Sequence, residues 1–106
     1  YLTAVANDYS FDNIYSRMIE ASAKQGDVLF AISTSGNSNN IIKAIEAAKD
    51  KNVKVVGMTG VTGGKMAELC DVLLNVPSTC TPRIQEAHIL IGHIICEIIE
   101  STIFPK

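Results

Sequence analysis

Apolar residues fall into two kinds of run along this chain. Short continuous runs occur at Val28 to Ile32 (VLFAI), Val53 to Thr59 (VKVVGMT) and Asp71 to Val76 (DVLLNV). Their length and partial β-branching are those of strands in a parallel sheet. Between them, apolar residues recur at helical spacing. One such stripe uses Phe11, Ile14, Tyr15, Met18 and Ala21; a second uses Ile41, Ile42, Ala44, Ile45, Ala47 and Ala48. The last runs from Ile84 through Ala87, Ile91, Ile94 and Ile95 to Ile98 and Ile99.

The pattern predicts a helix from Phe11 to about Ala23, capped by Ser10 and ended at Gln25-Gly26. A strand over 27–32, buried on both faces, leads through a polar turn into a helix that closes near Lys49 and Lys51. Two more strands follow, one at 53–59 and one at 71–76, separated by the flexible Gly60–Gly64 loop and a short helix over Lys65–Cys70. The Pro77–Pro82 loop then opens the longest helix, Arg83 to about Ile99. That helix is apolar most of the way round, so other helices or subunits are expected to cover it. Asn7-Asp8-Tyr9-Ser10 reads as a turn. Tyr1 to Ala6 fits a strand end or a helical turn equally well. Alternating helices and strands imply parallel strands joined by right-handed crossovers. Three strands make a thin sheet with poorly protected edges. Together with a start at Tyr1 and no initiator Met, this leads to the expectation that residues 1–106 are the C-terminal majority of a single larger domain.

The chain is organised around Gly26 to Asp50, where strand, turn and helix meet. The turn holds Ser33, Thr34, Ser35 and Ser38, with Gly36 between them. A helix N-terminus leaves N–H groups unpaired and carries partial positive charge, which suits a phosphate. Hydroxyls add donors without adding charge. The loop also follows the carboxyl end of a parallel strand, where open α/β sheets bind ligands. An ordinary polar connection with Ser38 as N-cap fits the same residue types.

Composition narrows the classes. Hydrophobic residues make up 47% and charged residues 19%, and the net charge is -2, with no basic block to suggest nucleic acid. No apolar run has the length of a membrane span, and no signal peptide is visible. Cys70, Cys80 and Cys96 are odd in number and lack CxxC spacing. They point to a reducing cytoplasm rather than a disulfide framework or a cysteine zinc cluster.

His93, amid isoleucines of the last helix, is a core residue or a general base. Gln85 lies eight residues earlier, about 80° around the helix and ~12 Å along it. Joint action would need a ligand between them, or another chain. His88 is about 140° from His93 and reads as packing. Asp8 is an Asx-turn residue or a binder of sugar hydroxyls. Gly60, Gly63 and Gly64 are able to cradle an anion without being specific to one. Lys65 is a surface lysine within reach of a phosphate, and Glu86, Glu97 and Glu100 read as a solvated or intersubunit face.

The segments DVLFAISTSGNS, VVGMTG, GGKMAELCDVLLNVPST and RIQEAHILIGHIICEIIE, in this order, resemble the sugar isomerase (SIS) domain family, phosphoheptose isomerase branch. The resemblance runs from Asn7-Asp8 to Glu100. It implies a flavodoxin-like three-layer αβα sandwich with a parallel sheet, the N-terminal part missing. It implies a cytoplasmic homotetramer that interconverts sedoheptulose 7-phosphate and D-glycero-D-manno-heptose 7-phosphate through an enediolate, supplying surface lipopolysaccharide. Carried over position by position, Asn7 and Asp8 contact substrate, and Ser33, Thr34, Ser35 and Ser38 hold the phosphate. Gln85 contacts substrate and binds metal; His93 is a general acid/base and metal ligand. Zinc is the implied ion, shared with a His and a Glu on an upstream helix without counterpart here, so residues 1–106 alone are expected to be inactive. Pro82 departs from relatives with a polar or acidic residue there, which removes one expected hydroxyl contact. The alternative is a noncatalytic module that binds phosphosugars or the replication initiator DnaA, or a sugar-phosphate sensor domain of a regulator. His93 discriminates, since the DnaA-binding relative is expected to lack it.

Overall fold

Each continuous apolar run forms a strand in the computed structural model, which describes residues 1–106. Strand β1 spans Val28–Ile32, β2 Lys54–Thr59 and β3 Val72–Asn75. They make one parallel sheet in the order β1-β2-β3, with Leu29 beside Val55, Ile32 beside Met58 and Val56 beside Val72. Four α-helices accompany it: α1 (Leu2–Asp8), α2 (Ile14–Ser22), α3 (Asn39–Asp50) and α4 (Thr81–Ile103).

The core lies under α3. Ala31, Val55, Ile45, Ala48, Val53 and Met66 are buried together, with Ile19 of α2 and Leu29 of β1 packed around them. Alternation along a strand sends Leu29, Ala31 and Val55 to this face and Phe30, Ile32 and Met58 to the other. Helix α4 meets β2 on that second face, where His88 and Ile89 stand near Ile32 and Met58. The layers are therefore α2 and α3, then sheet, then α4. Full burial of one isoleucine such as Ile45 contributes roughly 1.5–3 kcal/mol.

Several expectations are corrected. Strand β1 is not buried on both faces: Val28 is 57% and Ile32 49% exposed. It is the sheet's edge, and its second face is only partly covered by α4. Tyr1 to Ala6, open in sequence to a strand end or a helical turn, is helical from Leu2, and Asn7-Asp8 is that helix's last turn rather than a free turn. The next helix opens with a 3-10 turn at Phe11–Asn13, where Ser10 accepts from the Asp12 N–H. The Lys65–Cys70 helix is a 3-10 segment, Gly64–Glu68. Helix α4 runs to Ile103, and within the chain only its Ile84 and His88 are buried. Ile89, Leu90, Ile94, Ile98 and Ile99 remain exposed.

Lys51 ties α2 to the end of α3. Its Nζ donates to the Glu20, Ala23 and Ile19 carbonyls at 2.5, 2.7 and 3.4 Å. Glu20 and Ala23 stand at the C-terminal end of α2, where carbonyls run out of helical partners, while the Ile19 carbonyl also accepts from the Ala23 N–H at 2.9 Å. Lys51→Met keeps the stem and removes the charge, and is expected to cost about 1.5–3 kcal/mol. A urea midpoint equal to wild type would show that water satisfies those carbonyls equally well.

Candidate active site

Strand β1 delivers the chain directly into the serine loop. The Ser33 N–H still bonds the Met58 carbonyl at 3.0 Å, continuing the sheet ladder. Its hydroxyl then turns inward, accepting from the Gly36 N–H at 3.2 Å and pairing with the Ser38 hydroxyl at 2.8 Å. Ser38 occupies the N-cap position of α3, and its carbonyl receives the Ile41 and Ile42 N–H groups. Its side chain does not cap; it serves the pair with Ser33. The Asn39 and Asn40 N–H groups of the first turn are left without helical partners, as at any helix start.

The loop after β2 braces this turn. Gly36 N–H is held by Ser33, while the Gly36 carbonyl accepts from Met66 N–H at 3.1 Å. The Thr34 carbonyl accepts from Gly60 N–H at 2.9 Å, and Asn37 Oδ1 accepts from Lys65 N–H at 2.8 Å. The approach is close: a Cβ on Gly36, where φ is +70°, would sit 2.1 Å from the Gly63 carbonyl oxygen. Only glycine fits there.

Two clefts meet at Thr34. One, of about 450 Å3, is lined by Ser33, Thr34, Ser38, Gln85 and His88 and extends along α4 to Gly92. The other, of about 340 Å3, is lined by Thr34, Ser35, Thr62, Ser78, Thr79 and Thr81, with Val61 at its edge. Of the residues singled out in the sequence, Ser33, Thr34, Ser38 and Gln85 share the first cleft, and Ser35 lies in the second. Asn7 and Asp8 line neither. His93 is exposed on α4, adjacent to the Gly92 end of the first cleft. Lys65 and Glu97 are exposed, and Glu86 pairs with exposed Arg83 at 2.6 Å. Pro82 sits in the first turn of α4.

Gln85 and His93, the two expected metal ligands, offer an amide oxygen and an imidazole from one helix. This donor set suits zinc but leaves a four-coordinate ion two ligands short. No three His, Cys, Asp or Glu side chains gather to supply them. Burial pushes the Cys70 thiol above its usual range, with Asp71 adding to the rise and Lys49 opposing it. The Cys70 sulfur lies beside Gly57.

A family model described as the SIS domain matches residues 2–60, more than half of the sequence. The chain belongs to the SIS domain family. Among SIS-domain relatives, it is 57% identical over 105 residues to phosphoheptose isomerase 2 of Campylobacter jejuni, covering 99% of this chain and 52% of that protein. It is 58% identical over 102 residues to the phosphoheptose isomerase of Rhodospirillum rubrum, covering 96% and 54%. The solved phosphoheptose isomerase of Neisseria gonorrhoeae superimposes with a TM-score of 0.90 at 50% identity, covering 92% of this chain and 56% of that one. The chain thus spans about half the length of the relatives it matches. Their shared α/β architecture with a parallel sheet is the fold described above.

Two features of this SIS domain were missed in the sequence. His88, read as packing, is buried but also bonds the Thr59 carbonyl through Nε2 at 2.9 Å. The hydroxyls at Thr62, Ser78, Thr79 and Thr81 appeared only as loop residues. Their density in GVTGG and PSTCTP was the available signal.

Proposed function

We propose that this chain supplies the phosphate grip and one acid/base group of a phosphoheptose isomerase, interconverting sedoheptulose 7-phosphate and D-glycero-D-manno-heptose 7-phosphate. The convergence of Ser33, Thr34, Ser38 and Gln85 on one cleft carries the reading. The names of relatives sharing more than half of their aligned residues with it point the same way. The ester phosphate lies against the serine hydroxyls and the start of α3, with Ser35 at its flank. The sugar extends along α4 past Gln85 toward Gly92 and His93. Isomerisation removes a proton from C1 of the ketose, forms a cis-enediolate and returns a proton to C2, while the carbonyl shifts from C2 to C1. His93 performs one of these transfers, and Gln85 orients the oxygens. Asn7 and Asp8 contact substrate from outside both clefts. Zinc held by Gln85 and His93, with two ligands from beyond these residues, would polarise the carbonyl oxygen.

The exposed isoleucines of α4 support a homotetramer whose subunits cover that helix and complete the site. No helix is long and apolar enough to cross a membrane, which suits a cytoplasmic enzyme of surface-polysaccharide precursors. The experiment is incubation of the full-length protein with sedoheptulose 7-phosphate, followed by NMR. An aldose 7-phosphate should accumulate; an unchanged ketose would overturn the isomerase reading. Ser33→Ala with Ser38→Ala removes both hydroxyls of the 2.8 Å pair. This double change should weaken phosphosugar binding about 10- to 100-fold, and unaltered calorimetric affinity would remove the pair from the phosphate site.

A further inference from the structure

Helix α4 carries Gln85 and His93, yet little of it is fastened to the sheet. Its only buried residues are Ile84 and His88. Both converge on one peptide group at the carboxyl end of β2. His88 Nε2 lies 2.9 Å from the Thr59 carbonyl oxygen; a carbonyl only accepts, so Nε2 bears a proton and donates it. The N–H of the same peptide group, that of Gly60, donates to the Thr34 carbonyl at 2.9 Å. One peptide group therefore bonds α4 through its oxygen and the serine loop through its nitrogen. Ile84 closes the joint: a Cβ on Gly60 would stand 2.8 Å from Ile84 Cδ1 and 3.0 Å from the Thr34 oxygen.

A peptide group is planar and stiff, so helix and loop cannot shift independently where they share one. Hydrogen bonds at its two ends also polarise and strengthen each other. The Thr59 oxygen accepts a second bond, from the Val76 N–H at 3.0 Å, and so keeps a partner without His88. The imidazole is thus not needed to satisfy that carbonyl; what it fixes is where α4 stands. We propose that His88 is a positioning residue, which sets the distance from the serine loop to Gln85 and His93 through the Thr59–Gly60 peptide. The proposal rests on the phosphosugar reading above, in which the serine loop holds the phosphate and α4 acts on the sugar. In this role His88 touches no ligand. Displacement of a reacting group by roughly 1 Å costs about 10²-fold in rate, so the spacing matters to turnover more than to folding.

Two changes in the full-length protein test the joint. His88→Met fills the site with apolar atoms and removes the donor. His88→Gln brings an amide N–H to the Nε2 place and restores it. His88→Met should lower kcat for sedoheptulose 7-phosphate about 10- to 100-fold and weaken its binding about 3- to 10-fold, with inorganic phosphate affinity within about 2-fold of wild type. His88→Gln should recover most of the lost turnover. Lys51→Met is the stability control, because Lys51 lines neither cleft. It should lower the urea midpoint and leave kcat alone, and a merely structural His88 would behave in the same way. Wild-type kcat in His88→Met, equal loss of sugar phosphate and inorganic phosphate, or no recovery in His88→Gln would overturn the proposal.

NMR of the wild type gives an answer that does not depend on the variants folding. Sedoheptulose 7-phosphate spans both sides of the joint, so it should move the Gly60 amide and the His88 Nε2–H resonances together. An Nε2–H that stays still in an enzyme that turns over this substrate sinks the positioning role alone. A wild type without turnover sinks the isomerase reading. The joint is then judged by binding: selective loss of sugar-phosphate affinity in His88→Met upholds it, and unchanged affinity ends it.

Discussion

His93→Gln should lower turnover of sedoheptulose 7-phosphate by about 10²- to 10⁴-fold while leaving phosphosugar affinity nearly unchanged. The reasoning starts from the place of the residue. His93 is exposed on α4, so its loss opens no cavity and orphans no buried group. Glutamine is at least as good a helix former, and the fold should be indifferent to the change. It keeps size and hydrogen-bonding capacity but does not exchange protons near neutral pH. In the proposed arrangement Ser33, Thr34 and Ser38 hold the phosphate, and His93 is not among the residues lining that cleft, so binding should survive. Measuring kcat by steady-state kinetics and Kd by calorimetry on one preparation separates the two effects. Turnover like that of wild type would remove His93 from the chemistry, and the search would move to groups off this helix.

The second large effect is expected from a residue that touches no ligand. Gly36→Ala should destabilise the protein by about 2–4 kcal/mol and abolish measurable phosphate binding. The added Cβ would stand 2.1 Å from the Gly63 carbonyl oxygen and 2.6 Å from its carbon, both backbone atoms. No rotamer change relieves that overlap, so the two loops must part. Parting breaks the Met66-to-Gly36 and Gly60-to-Thr34 bonds and shifts the hydroxyls that face the cleft. The left-handed φ of +70° adds its own penalty for any side chain. Urea denaturation with calorimetry on the folded fraction would decide the matter. A variant as stable as wild type that still binds phosphate would show the brace to be incidental.

What the sequence made legible, and what it hid, follows from the range of the interactions. The strand, serine loop and helix from Val28 to Asp50 were readable because periodicity is local, although Ser38 holds the N-cap position without capping through its side chain. So was the parallel order, since each strand is followed by a helical segment. The open face of β1 was hidden: five apolar residues in a row look the same at a sheet's edge as at its centre. Helix α1 was hidden by its length, seven residues being too few to show a period. The bond from His88 to Thr59 joins positions 29 residues apart, and nothing near either residue announces it. The brace between Gly36 and Gly63 was visible only as two glycine-rich loops, because backbone-to-backbone contact leaves no side-chain signature. Gln85 and the serines were individually unremarkable and gained meaning once one cleft held them.

That brace has an implication for how the protein can diversify. The serine turn is pinned mainly through main-chain atoms, with Asn37 Oδ1 adding a side-chain contact, whereas Val61 and Thr62 of the bracing loop line the neighbouring polar cleft. Sequence drift at these two positions can therefore reshape the second cleft while the serine turn stays fixed. The hold on the serine turn and the shape of the second cleft are separately heritable, although one short loop, 60–64, sets both.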